Sequence, residues 1–259
     1  MASEKSDAIV IKVFTWSETS CIATLLTRDF GRISAVAKGA RRIKSPFEAA
    51  LDLLAVCRIV FIPKSHDALD ILTEAKLTRR FRAGSRDLMR LYCGYYVAEL
   101  LLAMTEPGLV VRELYELTEE TLEGLDGDQS PRELILRFEL QALRLLGLQP
   151  SLLQCAACGQ EVLEPEAPSE ASSSLVAFSV EAGGLLCDTC WMGQRQILRL
   201  HAETLIAMSR FAQEEWRGQD LFLIPERVRG EIRGCISRYL TTVLDKRLQM
   251  QSYLEDLAR

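Results

Sequence analysis

The chain has 259 residues, and its 31 basic and 36 acidic side chains give a net charge of −5. Hydrophobic residues make up 48% of the sequence and charged residues 26%, which is the balance of a globular protein and excludes disorder along the whole chain. The longest apolar run, 51–62, is too short to span a membrane, and residues 1–7 lack the apolar core of a signal peptide. We therefore expect a cytoplasmic protein without membrane contact, in which the eight cysteines stay reduced and need an explanation other than disulfides.

The charge is unevenly distributed along the sequence. Residues 1–80 carry 13 basic and 9 acidic side chains, whereas residues 81–259 carry 18 and 27. Such a split can reflect no more than solvated protein surface. It also fits a basic N-terminal module that contacts a polyanion, so the positions of the positive charges decide between the two interpretations.

The first 80 residues have the composition of β-structure, with β-branched and apolar residues concentrated in five runs. Between the third and fourth runs, Ser45-Pro46-Phe47-Glu48 has the pattern of a capped helix start. Five strands with one short helix after the third are the layout of an OB-fold barrel, although SH3-like barrels have a similar strand count. The predicted strands are 8–14, 21–28, 32–38, 53–62 and 69–77.

After residue 82 the spacing of apolar residues changes from that of strands to that of helices. We expect one helical bundle, interrupted at 155–190, where the Ser-, Pro- and Glu-rich stretch 164–174 predicts a mobile loop. Ser130-Pro131 predicts a capped helix start, and Gly147 a helix end. The predicted helices cover about 86–104, 109–125, 130–146, 191–216 and 226–248.

Two Cys-x-x-Cys pairs lie in the interruption, Cys155 with Cys158 and Cys187 with Cys190. Two intervening residues let both sulfurs of a pair reach one metal ion, and two pairs complete a tetrahedron of thiolates. Because four cysteines leave no coordination position for water, we expect one structural zinc ion rather than a catalytic one. The alternative is that these are buried thiols or two separate redox pairs.

Positive charges cluster at two places in the basic module. One cluster follows the third predicted strand, where Gly39 and Ala40 leave the backbone slim enough to approach a phosphate chain, and the other lies where the barrel ends. Each cluster alone can be a solvated loop, but their shared module favours nucleic acid. Trp16 is the aromatic side chain best placed to stack on bases, whereas Phe14, Phe30 and Phe47 are expected mainly in the core. The candidate nucleic-acid-binding residues are Lys38, Arg41, Arg42, Lys44, Arg79, Arg80, Arg82 and Trp16.

No catalytic signature stands out in the sequence. It contains no Walker-type phosphate loop, dinucleotide-binding fingerprint or nucleophile elbow, and only two histidines, His66 and His201. His201-Ala202-Glu203 matches half of the zinc-deaminase signature but follows the cysteine pairs instead of preceding them, so we interpret His201 as a helix-surface residue. We expect a protein that is not an enzyme.

Two segments carry a resemblance to a known family. One is Phe30-Gly31-Arg32 leading into Lys38-Gly39-Ala40-Arg41-Arg42, and the other is the zinc-knuckle segment 152–159, which contains the first Cys-x-x-Cys pair. Together with the barrel and the interrupted helical region, they resemble the bacterial RecO recombination and repair mediators over residues 7–248. The expected fold is α+β and multidomain, with a five-stranded OB-fold barrel at 1–82. An α-helical domain at 83–259 follows, interrupted by a zinc-binding lobe at 154–190. The long loop in this lobe departs from the more compact insertions expected of the family.

The resemblance implies binding of single- and double-stranded DNA and annealing of complementary strands. It also implies help in loading recombinase onto strands coated by single-strand-binding protein, in association with the nucleoid. Implied partners are the RecR protein and the acidic-aromatic tail of the coating protein. For this tail we expect an apolar groove with a positive rim in the helical domain, for which Arg195, Arg199 and Arg210 at helical intervals are candidates.

Two other classes of function stay open. OB barrels and zinc ribbons also occur in RNA-binding proteins of the translation and transcription machinery, which would prefer structured RNA to single-stranded DNA. In a non-enzymatic protein scaffold, the zinc lobe and acidic helices would dock proteins, and nucleic-acid binding would be negligible and insensitive to salt.

Overall fold

The computed structural model describes residues 2–42, 45, 47–64, 68–164, 174–213 and 225–257. The candidate Lys44, Pro46 of the predicted helix start, His66 and most of the predicted mobile loop lie outside these ranges. The chain divides into two compact units, one formed by Met1–Pro131 with Leu248–Arg259 and the other by Arg132–Arg247. Within the described ranges, none of the helices is long and apolar enough to cross a membrane.

The first unit contains a closed five-stranded barrel with the strand order β1-β2-β3-β5-β4. Neighbouring strands are antiparallel except β3 and β5, which run parallel with Ala35 opposite Asp70. This is the topology of an OB fold, so the predicted fold of the N-terminal region is confirmed. The strands are β1 (Glu4–Thr15), β2 (Cys21–Thr27), β3 (Gly31–Ala37), β4 (Val56–Ile62) and β5 (Asp70–Arg79).

The short helix predicted between the third and fourth strands is a 3-10 helix, Glu48–Leu51. The Ser45 hydroxyl accepts a hydrogen bond from the Phe47 N–H at 3.2 Å, as a helix cap does. Phe47 itself is buried in the barrel core. The fourth strand starts at Val56 rather than at residue 53, because Leu54 has a φ of 66° and cannot continue an extended strand.

The helices are α1 (Leu88–Met104), α2 (Arg112–Asp126), α3 (Pro131–Leu145), α4 (Ala202–Ala212), α5 (Glu226–Val243) and α6 (Gln249–Leu257). Helices α1, α2 and α6 belong to the first compact unit, and α3 from Arg132 onward, α4 and α5 belong to the second. In the first unit, the Asp87 carboxylate caps α1 by accepting from the Arg90 N–H at 2.8 Å. Glu99 of α1 caps α6 by accepting from the Gln249 and Met250 N–H groups at 2.7 and 2.8 Å.

In the second unit, a small sheet replaces part of a predicted helix. The strands β6 (Leu175–Ser179), β7 (Gly184–Leu186) and β8 (Ile197–His201) pair in the order β7-β6-β8. The prediction of a helix from Trp191 to Trp216 is therefore wrong over its first half, and its end lies outside the described residues. Gly193 and Gln196 have φ values of 81° and 58°, which no helix accommodates, and β8 then pairs with β6.

The last predicted helix, 226–248, is also shorter in the structure. It ends at Val243, and Asp245 has a φ of 49°, so the chain turns before α6 begins. Buried charges hold α5 against α3 within the second unit. The fully buried Glu139 of α3 accepts a hydrogen bond from Arg233 of α5 at 2.6 Å, which supplies the counter-charge that a buried carboxylate requires.

We predict that Gly31→Ala destabilises the first unit. The segment after α1 lies beside the start of β3, on the edge that β5 pairs with only from Ala35 onward, and the Gly108 N–H donates to the Arg32 carbonyl at 3.1 Å. Gly31 has a φ of 66°, and a Cβ there would clash with the Leu109 carbonyl. We expect a loss of about 2–4 kcal/mol in the free energy of unfolding, from left-handed strain plus displacement of this segment.

Urea unfolding of the two variants Gly31→Ala and Gly108→Ala separates these contributions. Gly108 has a φ of 77°, but nothing lies within 4 Å of a Cβ built there. This control should therefore lose only about 1–2 kcal/mol, from backbone strain alone. Equal losses in the two variants would contradict the close approach of Leu109.

Candidate metal centre and nucleic-acid interface

The four cysteines of the two Cys-x-x-Cys pairs converge in the second unit. The sulfurs of Cys155, Cys158, Cys187 and Cys190 all lie within 4.8 Å of one another. The Cys158 and Cys187 sulfurs are 3.9 Å apart, far beyond the roughly 2.05 Å of a disulfide. A tetrahedral zinc ion with Zn–S bonds of about 2.3 Å places its sulfurs about 3.8 Å apart, so the donor set fits one such ion.

Tight backbone turns bring each pair of sulfurs to the same side. The Gly159 N–H donates to the Cys155 carbonyl at 2.8 Å, and Gly159 has the left-handed φ of 76° that this turn requires. In the second pair, the N–H groups of Cys190 and Trp191 both donate to the Cys187 carbonyl at 3.1 Å. Gly159 and the two Cys-x-x-Cys spacings therefore encode the geometry locally.

The surroundings of the sulfurs favour a thiolate at one position. Burial raises the pKa of the Cys155 thiol, but hydrogen bonds from the backbone of Cys187, Cys158 and Ala157 lower it to about 6 overall. Cys155 and Cys187 are buried with Ala177 and Leu186 in a small apolar cluster. Four sulfurs so close together, with one of them predisposed to ionise, could bind a metal ion, and a four-sulfur set matches a closed structural site.

We define the basic loop as residues 38–42, directly after β3. Its three charged side chains are exposed: Lys38, Arg41 and Arg42. Gly39 adopts a φ of 76°, and the Arg42 N–H donates to the Gly39 carbonyl at 3.1 Å, which closes a tight turn. The turn places the three cations on a short, fixed backbone rather than on a long flexible loop.

The basic loop is joined to the β1–β2 hairpin that carries Trp16. The Arg41 N–H donates to the Thr19 carbonyl at 3.1 Å, and its guanidinium donates to the Ser17 carbonyl at 3.3 Å. Trp16 is 63% exposed. The structure thus brings Trp16 and the cations of the basic loop together at one end of the barrel, where OB folds bind ligands between strands 2–3 and the neighbouring loops.

The second cluster of arginines is differently placed. Arg79 is half-buried and donates to Asp126 at 3.1 Å, and Arg80 lies 3.7 Å from Asp52. Arg82 is exposed, and the structure gives its guanidinium no ion pair within the described ranges. These arginines line a groove of about 680 Å³ with Arg86 and Asp126. Because carboxylates already neutralise Arg79 and Arg80, this cluster offers less free positive charge than the basic loop.

The three arginines expected to rim a groove at helical intervals do not lie on one helix. Arg195 belongs to the loop before β8, Arg199 to β8 and Arg210 to α4. The guanidinium of Arg199 lies 4.3 Å from the centre of the Trp191 ring, a cation–π contact. The helical premise of that prediction is wrong because this segment pairs with β6 as a strand.

A groove with a mixed polar and apolar lining lies nearby in the second unit. It has a volume of about 480 Å³ between β8 and α5, with Ile197 and Leu198 on one side and Ser237, Arg238 and Thr241 on the other. The exposed Arg238 gives this groove a cationic rim. No local pattern predicts this groove, because it requires residues from β8 and α5 that are about 40 positions apart.

His201 is not the helix-surface residue expected from the sequence. It is the N-cap residue of α4, and its ring Nδ1 lies 2.5 Å from a carboxylate oxygen of Glu231 on α5. Glu231 also accepts from the His201 N–H at 3.0 Å and the Thr204 hydroxyl at 2.6 Å. Burial alone would raise the pKa of Glu231, but these hydrogen bonds lower it overall. The pair joins the start of α4 to α5, which is a structural role.

The sequence interpretation missed two side chains of the barrel end, Lys12 and Phe14. Both lie in the exposed outer part of β1, and Phe14 is 57% exposed although it was expected mainly in the core. Their alternation with Trp16 at positions 12, 14 and 16 is a detectable signal of one shared strand face.

Comparison with known proteins identifies the family. The family model described as "Recombination protein O N terminal" matches residues 1–81, and "Recombination protein O C terminal" matches residues 85–251. The chain belongs to the RecO family. The break between the two RecO models falls after β5, where the barrel ends.

Three relatives are each named "DNA repair protein RecO". The one from Rhodopirellula baltica is 44% identical over 207 residues, which are 80% of this chain and 74% of the relative. The one from Symbiobacterium thermophilum is 32% identical and spans 99% of this chain and 98% of its own. The one from Anaeromyxobacter dehalogenans strain 2CP-1 is 32% identical, with the same two coverages. The similarity to RecO proteins thus extends over both compact units.

Proposed function

We propose that this protein is a non-enzymatic mediator of DNA repair and homologous recombination. It binds single- and double-stranded DNA, anneals complementary strands and helps to load recombinase onto strands coated by single-strand-binding protein. One observation carries the proposal: the exposed basic loop is joined through Arg41 to the Trp16 hairpin at the ligand-binding end of an OB barrel. Membership of the RecO family supports a role of the protein in DNA repair.

The proposed mechanism is electrostatic. The basic loop holds backbone phosphates through Lys38, Arg41 and Arg42 without reading the base sequence. Lys44, the next basic residue in the sequence, is proposed for the same role. Annealing requires two polyanions to approach each other, and a positive surface lowers their repulsion while the base edges stay free to pair. Arg82, with Arg79 and Arg80, extends this surface for longer DNA. In this assignment residues 1–82 are the nucleic-acid-binding domain and 83–259 the helical domain with its lobe at 154–190.

The proposed cofactor is one structural zinc ion held by Cys155, Cys158, Cys187 and Cys190. The mutual distances of the sulfurs support it. When bound, the ion would cross-link the two Cys-x-x-Cys turns and would take no part in a reaction. Among the described residues of the lobe, Cys155 and Cys187 lie in a small apolar cluster, and the ion would add folding free energy on the order of 10 kcal/mol.

Equilibrium binding tests the proposed function against its alternatives. A labelled single strand, a duplex and a structured RNA are titrated with the protein by fluorescence anisotropy between 50 and 200 mM salt. We expect salt-dependent binding of both DNA forms. A clear preference for the structured RNA would instead support the RNA-binding class, and negligible, salt-insensitive binding of all three would support a protein scaffold.

The proposed protein partners are RecR and the acidic-aromatic tail of single-strand-binding protein. The mixed groove between β8 and α5 supports this proposal, since Ile197 and Leu198 can contact an aromatic side chain while Arg238 pairs with a carboxylate. Arg195, Arg199 and Arg210 stay candidates for the same contact, although no single helix carries them.

Peptide binding assigns the tail-binding residues. We predict that Arg238→Glu weakens binding of the isolated tail peptide at least tenfold, because a charge reversal in the rim repels the peptide carboxylates. The variant Arg199→Glu is the comparison. If Arg199→Glu weakens binding and Arg238→Glu does not, the tail binds at the lobe surface near Trp191 instead, and unchanged affinity in both variants would dismiss both sites.

A further inference from the structure

We propose that Phe14 and Trp16 form a slot for one unpaired base, which makes the barrel end selective for single-stranded over duplex nucleic acid. This inference rests on the proposed nucleic-acid binding and names the residues that distinguish the two forms. It starts from an irregularity in β1. The register of β1 against β2 shifts between Val10 and Lys12, which is a β-bulge.

The bulge changes which side chains of β1 point outward. Before it, Ala8 and Val10 belong to the barrel core. After it, Phe14 lies in a row of side chains that crosses the sheet on its outer surface. The other members of this row, in order across β2, β3 and β5, are the half-buried Ile22, Val36 and Ile71. Lys12 shares this outer surface. Val13 lies opposite the fully buried Ala23 and therefore belongs to the opposite side of the strand.

The outer part of β1 presents an aromatic surface that no other described strand covers. β4 pairs with β1 only from Glu4 to Ile9. In the described ranges, Lys12–Thr15 therefore has a strand partner on the β2 side alone. The Trp16 N–H donates to the Ser20 carbonyl at 3.1 Å, which continues the hairpin ladder through Trp16. Phe14 and Trp16 are 57% and 63% exposed. Two exposed aromatic side chains thus lie two positions apart, Phe14 in β1 and Trp16 directly after its last residue in the same hairpin ladder.

The spacing of these positions matches one nucleic-acid base. Strand residues two apart are separated by about 6.8 Å, twice the roughly 3.4 Å thickness of a stacked base. One base therefore fits between the two rings. In a duplex the faces of the bases are covered by their neighbours, so only an unpaired, unstacked base can enter the slot.

The charges around the slot identify its occupant as a nucleic-acid strand. Lys12 lies on the same side of β1, and Arg41 of the basic loop is hydrogen-bonded to the hairpin. An apolar protein surface would not require these flanking cations, whereas a phosphate chain on both sides of the bound base does. The basic loop contacts phosphates of either form of DNA, and the aromatic slot adds affinity for single strands alone.

Binding of an oligothymidine and of a duplex of equal length tests this proposal at fixed salt. Phe14→Ala and Trp16→Ala should each weaken oligothymidine binding about 5- to 100-fold while duplex binding and the salt dependence stay unchanged. Val13→Ala is the matched control on the opposite side of the strand and should bind both probes like the wild type. Trp16→Phe should restore most of the affinity. Equal unfolding midpoints confirm that the exposed substitutions leave the barrel intact.

The outcomes separate the slot from the proposed function. Equal losses for both probes, or no loss for either, would overturn the slot while leaving nucleic-acid binding in place. If the wild-type protein binds neither probe, the proposed function itself fails and the slot fails with it. A protein-docking role for the aromatic hairpin would give wild-type binding of both probes in every variant, which also overturns the slot.

Discussion

A Cys187→Ser variant should lose its metal and the folded structure of the lobe. Wild-type protein purified without chelators should contain one zinc ion per chain, because the four sulfurs are already within 4.8 Å of one another. The apolar cluster around Cys155 and Cys187 is small within the described residues, so we expect that loss of about 10 kcal/mol of metal-binding free energy leaves the lobe unfolded. Elemental analysis measures the zinc content, and limited proteolysis detects new cleavage within 150–200.

The control for the zinc prediction is Cys235→Ala. Cys235 is a buried single cysteine of α5, so its replacement creates a small cavity but removes no ligand. This variant should keep one zinc ion per chain and the wild-type cleavage pattern. Stoichiometric zinc in the Cys187→Ser variant, or its absence from gently purified wild-type protein, would refute the proposed metal centre.

Arg41→Ala/Arg42→Ala should weaken binding to every DNA sequence alike. Contacts to about four to six phosphates give a salt slope of roughly −3 to −4 for single strands, hence about a hundredfold loss of affinity between 50 and 200 mM salt. Removing two contacts makes the slope shallower by about 1.4, which corresponds to an approximately 25-fold loss at 0.1 M salt. Fluorescence anisotropy across a salt series measures the affinity and the slope together.

Arg58→Ala/Lys76→Ala is the matched control for this loss. Arg58 and Lys76 are exposed and lie opposite each other on β4 and β5, so this control removes the same formal charge from the barrel, although Arg58 is paired with Asp7 at 3.2 Å. It should change the affinity much less, because these residues lie outside the basic loop. An equal loss in the control would mean that net charge rather than the basic loop determines binding. Altered discrimination between DNA sequences would indicate base contacts by Arg41 or Arg42.

The features that the sequence predicts correctly have local causes. The two Cys-x-x-Cys spacings and Gly159 specify knuckles that need no distant residue except the second pair. The five strands of the barrel follow from runs of β-branched residues, and Ser45 caps Phe47 as its position predicts. These elements could be derived because each depends on a few neighbouring residues.

The features that the sequence does not predict depend on pairing between distant segments. The spacing of apolar residues at 191–201 predicts a helix, but Ile197–His201 forms a strand because it pairs with β6. Arg199 lies on that strand. The bulge between Val10 and Lys12 turns Phe14 outward, although strict alternation from Val10 assigns it to the core. The groove between β8 and α5 likewise requires both elements together. Such features arise from tertiary contacts that the local pattern does not encode.

Strand annealing tests the central proposal most directly. Two complementary labelled oligonucleotides are mixed with the wild-type protein or with Arg41→Ala/Arg42→Ala across a salt series. We predict that the wild-type protein accelerates annealing, that the acceleration fades as salt rises, and that the double substitution removes most of it. Binding without any acceleration, or acceleration unaffected by salt and by the double substitution, would contradict the assignment of a DNA-annealing surface to the basic loop.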